Sequence, residues 1–337
     1  MLRKLWTHHR GELLFFITGL IAVHLALFSG TFGLGFRNKL DSTKASEFGQ
    51  FVGGYVGTIF VIASVALLIA SFRNQRAASE LSAFENRFFE LLKYHRENAS
   101  EISIGERTGR KVFVPLIREF RESLCIVRQC CEQLAPDYLQ ERRIDLAYMA
   151  FYYGVGQNST PVLRAALQNR HPAELVNRVI ESMEQIQAAY RSILSQLKAL
   201  AGRNDFVNAL RNKLRALSSL PYCPFDGHQS RLGHYYRHMY QLVKYAAKHT
   251  PTPTCAIEYV DLLRAQLTNH EQALLCLNSL SKIGSAWREK GYITDYGLIK
   301  NLPKNFFDPE TELNVPALFP GIQFEYDSVD RDEPNRD

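Results

Sequence analysis

The chain has 337 residues, enough for an anchor and one or two domains. Its mean hydropathy, −0.19, is that of a soluble protein only as an average, because the apolar residues concentrate in the first 72 positions. Net charge is +6; from Lys304 to Asp337 nine acidic residues stand against three basic ones, a local −6, so the rest carries +12. A basic body suits anionic lipid headgroups or nucleic acid, and equally the ordinary solvated faces of helices. The sequence lacks a Gly-x4-Gly-Lys-Ser/Thr loop, a Gly-x-Ser-x-Gly elbow and a dinucleotide fingerprint, which argues against ATP-driven work and α/β-hydrolase chemistry.

Two uncharged runs come first, Leu13–Phe36 between Glu12 and Arg37, and Phe48–Phe72 between Glu47 and Arg73. Each exceeds the ~20 residues that carry a helix across a ~30 Å hydrocarbon layer. The first is too long for the core of a secretory signal, which runs roughly 7 to 15 residues, and a second span follows at once. Residues 1–72 are therefore read as a membrane anchor, with transmembrane helices at about 13–36 and 48–72 and a loop at Arg37–Glu47. Arg3, Lys4, Arg10, Arg73, Arg76 and Arg87 flank the pair, against Arg37, Lys39 and Lys44 in the loop. That bias places both chain ends in the cytoplasm, under a bacterial inner membrane. Gly49, Gly53 and Gly57 recur every four residues, a spacing that lets a neighbouring backbone approach, within the hairpin or in a homo-oligomer. His24 reads as a tolerated neutral residue within the first span.

Beyond the anchor the expected fold is all-α. Leu81, Phe84, Phe88 and Leu91 share a helical face, continuing the second span as a stem that packs on the protein's own core. Helical periodicity then fills about 112–134, 139–153, 161–170, 172–201, 205–219, 229–249, 255–267 and 269–286. Breaks fall at Gly154, Gly156 and Asn158, at Gly202 and Asn204, and at Pro221, Pro224 and Gly227. Thr268 and Glu271 have capping-box spacing, which puts His270 in a helical first turn. Residues 73–303 form the helical domain, and 304–337 an acidic, partly disordered tail whose composition buries little apolar surface. Cys125, Cys130, Cys131, Cys223, Cys255 and Cys276 show no Cys-x-x-Cys or zinc spacing, as expected of reduced thiols.

The most unusual segment is Asp226–Ala246, DGHQSRLGHYYRHMYQLVKYA. At 100° per residue Arg231, His234, His238 and Gln241 fall on one stripe, while Tyr236, Met239, Tyr240 and Val243 gather on the other side. An aromatic core face explains the second set, and three readings stand for the first. His234 and His238 have i, i+4 metal spacing, but no glutamate lies between them and Arg237 would repel a cation. Arg231 and His238 match the Arg-x6-His pattern of HEPN-type ribonucleases, in which histidine serves as general acid or base and arginine steadies phosphate charge. The third reading has these side chains bind carboxylates or carbonyls within the fold.

The stretches Gly233–Ala246, Tyr259–Ser281 (YVDLLRAQLTNHEQALLCLNSLS) and Tyr296–Pro303 (YGLIKNLP), with Phe84–Ala99, resemble the phage abortive infection proteins of the AbiC type. The resemblance implies bacterial phage defence by arrest or death of the infected cell, and it carries no known active site. Gly233, His234, Tyr235, Arg237, His238, Arg264, Gln266 and Asn278 match its blocks. The expectation is a membrane-anchored defence protein whose helical domain senses infection or acts as the toxic effector. Its partners are the bilayer, a phage component or RNA, and further copies of itself; no cofactor or metal is expected. The alternatives are a metal-independent membrane-tethered endoribonuclease using Arg231 and His238, and a membrane-damaging oligomer. Gln241 joins the candidate residues through its place on the stripe.

Overall fold

Helical periodicity becomes helix almost throughout the computed structural model, which describes residues 18–19, 21–22, 42–199, 204–250 and 253–326. The chain divides into two compact units, Met1–Ala83 and Phe84–Asp337.

In the first unit, α1 (Ser42–Phe51) leads through one wide i→i+5 turn, Val52–Val56, into α2 (Gly57–Glu101). Together they make one helix, Ser46–Glu101, long and apolar enough to cross a membrane by length and composition. Its apolar window is not buried by protein; Val61, Ile62 and Phe72 are each 60 % exposed or more. Most of the expected first span, with His24, lies outside the described residues. Ser42–Glu47, read from their charges as loop, are already helical. Charge marks where a span leaves hydrocarbon and does not stop a helix. The wide turn falls within the glycine run, and a Cβ built at Gly49 or Gly53 would meet nothing within 4 Å.

The second unit takes the end of α2, where Phe84, Phe88, Leu92, His95 and Ala99 are buried. Leu81 is exposed and Leu91 half-buried, so the buried seam runs one residue out of the expected register after Phe88. A two-residue hairpin, β1 (Ser103–Ile104) and β2 (Arg107–Thr108), turns at Gly105. Helices follow at α3 (Phe113–Leu134), α4 (Gln140–Tyr153), α5 (Ser159–Leu167), α6 (Ala173–Ala199), α7 (Asn204–Leu217), α8 (Gln229–His249), α9 (Pro253–Arg264) and α10 (Asn269–Leu280). Two short helices, α11 (Ser285–Glu289) and α12 (Val315–Leu318), complete the described elements. Pro115 is accommodated in the first turn of α3, where its missing N–H has no intrahelical partner to lose.

The core is built around α4 and α10, because Ile144–Tyr152 and Glu271–Leu280 are buried at every position. A helix apolar on all sides needs neighbours all round. Helix α3 packs on α4 and α6, α10 lies against α3 and α4, and α8 touches α4 and α9. The capping box forms as expected: Glu271 N donates to Thr268 Oγ1 at 3.3 Å and Glu271 Oε2 accepts from Thr268 N at 2.8 Å. The other oxygen of this fully buried Glu271 accepts from Tyr235 Oη at 3.0 Å, tying the start of α10 to α8.

Two buried carboxylates organise the loops. Glu119 on α3 accepts from Phe225 N at 2.7 Å, Tyr222 Oη at 2.7 Å and His228 Nε2 at 2.8 Å. Asp145 on α4 accepts from Arg170 at 2.8 Å, His171 Nε2 at 3.1 Å and Lys282 N at 2.8 Å. Burial works to raise the Asp145 carboxyl, but these hydrogen bonds outweigh it and hold the group down at about 2. Helix α4 stops at Gly154 (φ 74°, ψ −179°), a conformation left almost entirely to glycine. There the chain lies against Gly227: Val155 N donates to Phe225 O and His228 N to Tyr152 O, both at 2.8 Å.

The tail departs from expectation. Residues 304–326 fold onto the domain, burying Phe307, Leu313, Val315, Phe319, Ile322 and Phe324; 327–337 lie outside the described residues. The average composition is acidic, yet the apolar residues are spaced so that they turn inward together. Arg121 anchors the segment, donating to Phe306 O at 2.6 Å and pairing with Glu312 at 2.6 Å, and Arg128 donates to Thr311 O at 2.6 Å.

His95 sits in this core, 1 % exposed, its ring 4.9 Å from that of Tyr235, and its Nδ1 has no hydrogen-bond partner. Burial, with Arg110 and His238 adding like charge, pushes its pKa down to about 4. Folding therefore favours the neutral ring: its contribution is whole above the ordinary value near 6.5 and is lost as pH falls from there towards 4. The loss amounts to about 3 kcal/mol at the acid end. The thermal midpoint of the purified chain should fall less between pH 7.5 and 4.5 in His95→Leu than in the wild type. Parallel curves for the two proteins would contradict this.

Candidate functional site

Gly233 stands one turn into α8, at a cost of about 1 kcal/mol relative to alanine in a helix interior. It lines a cleft of about 310 Å³. Helix α8 contributes Gly233, Tyr236, Arg237, Tyr240 and Gln241 to its lining, and Tyr152 comes from the end of α4. Asn278 lies at the end of α10, and Ile283, Gly284, Ala286 and Trp287 from the turn into α11 close the far side.

The walls are positioned from several directions. A Cβ at Gly284 would lie 2.2 Å from Asn278 O, so only glycine lets the chain cross the end of α10 this closely. Arg288 Nε donates to Ser279 O at 2.8 Å and fixes α11 on the same helix end. The Tyr240 and Trp287 rings meet edge to face, centroids 5.1 Å apart at 81°, and Tyr292 backs Tyr240 at 5.4 Å. Asn278 is buried and its Nδ2 donates to Tyr148 Oη at 3.0 Å.

Arg237 lies back along α8, its Nε donating to Gly233 O at 3.0 Å. A Cβ on Gly233 would sit 3.1 Å from Tyr152 Oη, a tight approach, and in ordinary contact with Arg237 Nη2 at 3.7 Å, so alanine there would press on the tyrosine hydroxyl. Burial, then the neighbouring Tyr153, raises the Tyr152 hydroxyl, with Arg237 acting the other way. Among the described lining residues Arg237 is charged and no carboxylate faces it. The cleft thus offers aromatic surface, amides and a cation, a setting for a planar ligand with a negative or hydrogen-bond-accepting part.

Four of the residues singled out from sequence meet here, Gly233, Arg237, Gln241 and Asn278. Gln241 was grouped by angle with Arg231 and the histidines, but it shares the cleft with the aromatic side of the helix. The other candidates lie elsewhere. Arg231 donates through Nε to Ser103 O at 3.0 Å and through Nη1 to Gly227 O at 3.2 Å, joining the hairpin to the start of α8. His238 is half-buried on the side of His95, and His234 is exposed. Among the described residues no group of three or more His, Cys, Asp or Glu side chains converges on either. Arg264 is buried, paired with Asp261 at 2.6 Å and directed to the carbonyls of Tyr296 and Gly297 at 3.4 Å. Gln266 is half-buried, its Oε1 enclosed and without a partner. Gly49, Gly53 and Gly57 belong to the first unit. His270 stands in the first turn of α10, its ring edge to face with Phe306 at 5.2 Å.

Sequence reasoning missed Tyr152, Gly284 and Trp287, whose place in the cleft depends on long-range packing. It also missed Glu119, although an acid one turn after Leu116 and next to Phe120 on an apolar stripe signals a buried carboxylate.

Residues 227–307, about a quarter of the chain, match the family model described as "Putative phage abortive infection protein". No curated protein and no solved structure matches the chain.

Proposed function

We propose that this chain is a membrane-anchored abortive infection protein, and that the cleft beside Arg237 is where its helical domain senses infection. The observation that carries this reading is a coincidence of position. The segment similar to abortive infection proteins, 227–307, supplies every described residue of the cleft except Tyr152. Arg237, Gln241 and Asn278 gather there although 41 positions separate Arg237 from Asn278 in the chain. A resemblance concentrated on a recess with a charged rim points to binding at that recess.

The anchor is supported by the helix Ser46–Glu101, whose most apolar stretch is not covered by protein, as a segment in contact with lipid would be. With Leu13–Phe36 as a second span, the chain makes a hairpin in the bacterial inner membrane with both ends in the cytoplasm. In an infected culture, cells carrying the gene should lower the plating efficiency of at least one phage in a broad panel, and the protein should sediment with membranes. Equal plating on carrier and deletion strains across the panel would overturn the reading.

A second reading is favoured by the open space over Gly49 and Gly53, which leaves room for close backbone approach between copies. In that reading the spans assemble into a membrane-damaging oligomer once the cleft is engaged. Loss of membrane potential on infection, abolished in Gly53→Leu, would support it; a normal potential in dying cells would exclude it. The ribonuclease reading has less support, because Arg231 directs its donors to backbone carbonyls of its own fold.

A further inference from the structure

We infer that the cleft takes a single nucleotide unit, its base against the Tyr240 ring beside Trp287 and its phosphate on Arg237. This deepens the sensing reading above and rests on it. The chemistry of the walls selects the ligand class in three steps.

Aromatic surface is supplied by half-buried Tyr240 on α8, with Trp287 of α11, 3 % exposed, packed edge to face against it at 5.1 Å. An aromatic base stacks on such rings whatever its identity, since every base has a π face. The charge is cationic and unopposed, because Arg237 lines the cleft with no described carboxylate beside it. Its Nε is engaged by Gly233 O, which holds the guanidinium plane in place while Nη2 stays beside the cleft. A guanidinium so held suits phosphate, which accepts charge-assisted hydrogen bonds in a fork.

Size and polarity complete the case. A space of about 310 Å³ lies at the small end of ligand sites and accommodates one nucleotide, too small for a folded partner. Exposed Gln241 adds an amide group, a usual means of reading the polar edge of a base. The same unit can come from a free nucleoside monophosphate or from the 5′-phosphorylated end of an RNA strand.

The test uses the full-length chain in detergent, carrying Trp6→Phe so that Trp287, the remaining tryptophan, reports alone. AMP, GMP, CMP and UMP are titrated separately, alongside adenosine, a short 5′-phosphorylated RNA and the same RNA with a 5′-hydroxyl. Saturable quenching of Trp287 by a nucleoside monophosphate or by the phosphorylated RNA is expected, with adenosine and the hydroxyl RNA about tenfold weaker or worse. Binding by the mononucleotides identifies a free ligand; binding confined to the phosphorylated RNA identifies a strand end.

Arg237→Ala should weaken phosphate-bearing ligands about tenfold or more while leaving adenosine unchanged. Arg237→Lys should recover part of that loss, since it keeps the charge without the fork. Tyr240→Ala should weaken all ligands about tenfold through lost stacking. No saturable quenching by any ligand, or quenching indifferent to Arg237→Ala in a protein of unchanged thermal midpoint, would overturn the inference. If no nucleotide binds yet Arg237→Ala still abolishes phage protection, this inference fails and the sensing reading stands. If nucleotides bind as expected yet Arg237→Ala protects fully, the sensing reading fails.

Discussion

Replacing Gly154 with alanine is expected to destabilise the helical domain by about 4 kcal/mol or more, a large share of the roughly 5 to 15 kcal/mol that holds a domain folded. Two costs combine. Gly154 has φ 74° and ψ −179°, which a residue with a Cβ adopts only under strain worth about 1 to 3 kcal/mol. The new Cβ would also lie 2.4 Å from Gly227 N and 2.5 Å from Asp226 C. Those are backbone atoms, held by the hydrogen bonds from Val155 N to Phe225 O and from His228 N to Tyr152 O, so no side-chain rotation relieves the contact. Gly227→Ala should behave alike, because its Cβ would lie 2.3 Å from Tyr153 O at φ 83°. Gly321→Ala is the control: nothing lies within 4 Å of its Cβ, and its thermal midpoint should match the wild type. Equal midpoints for Gly154→Ala and Gly321→Ala would show that the junction tolerates a side chain.

Glu119→Ala is expected to cost a similar amount by a different route. The carboxylate is fully buried and accepts three hydrogen bonds, from Phe225 N, Tyr222 Oη and His228 Nε2. Truncation leaves three enclosed donors without an acceptor and opens a cavity, each orphaned group costing about 1 to 3 kcal/mol. Burial, then the charge of Glu119, raises the Tyr222 hydroxyl, so that group remains a proton donor throughout the accessible pH range. It cannot adapt by ionising when its partner is removed. Phe225 adds to the cost, because its φ of 62° is rare for an aromatic residue and depends on the bond its N–H makes to Glu119. A fall in thermal midpoint of about 10 °C is expected, with a smaller fall in Glu119→Gln, which keeps the shape and one acceptor. A midpoint within a degree or two of wild type in Glu119→Ala would mean that the loop is held by other contacts.

These two sites show what the sequence made legible and what it did not. Helices were readable because their apolar residues recur with the helical period and because glycine, proline and asparagine stand at the breaks. The capping box at Thr268 and Glu271 was readable for the same local reason, since both halves lie within four residues. Glycine spacing marked a break at Gly154 but could not show that Gly227 lies against it, because that contact joins residues 73 positions apart. The tail was misjudged by its average composition. Its acids lie among inward-facing phenylalanines, and Glu312 pairs with Arg121 on α3.

The candidate site was legible only as a list. Arg237, Gln241 and Asn278 stood out in the sequence, but the stripe drawn through Arg231, His234, His238 and Gln241 cut across the surfaces of α8. Neighbours decide which face of a helix is a core, a tether or a recess, and Tyr152 and Trp287 came from elements with no marking of their own. Arg231 shows the converse, since a residue type suited to phosphate is turned to Ser103 and Gly227 carbonyls by the hairpin beside it.

The sensing role proposed for the cleft is tested most directly by the plating efficiency of a sensitive phage on cells carrying the Arg237→Ala/Tyr240→Ala variant. Membrane-fraction protein should equal the wild-type amount; some fall in thermal midpoint is expected, because Arg237 is exposed but Tyr240 is half-buried and loses its ring contacts with Trp287 and Tyr292, and Arg237→Ala alone should give the same plating. Plating should then rise to that of a deletion strain. Full protection by the variant, at equal protein level, would contradict the account.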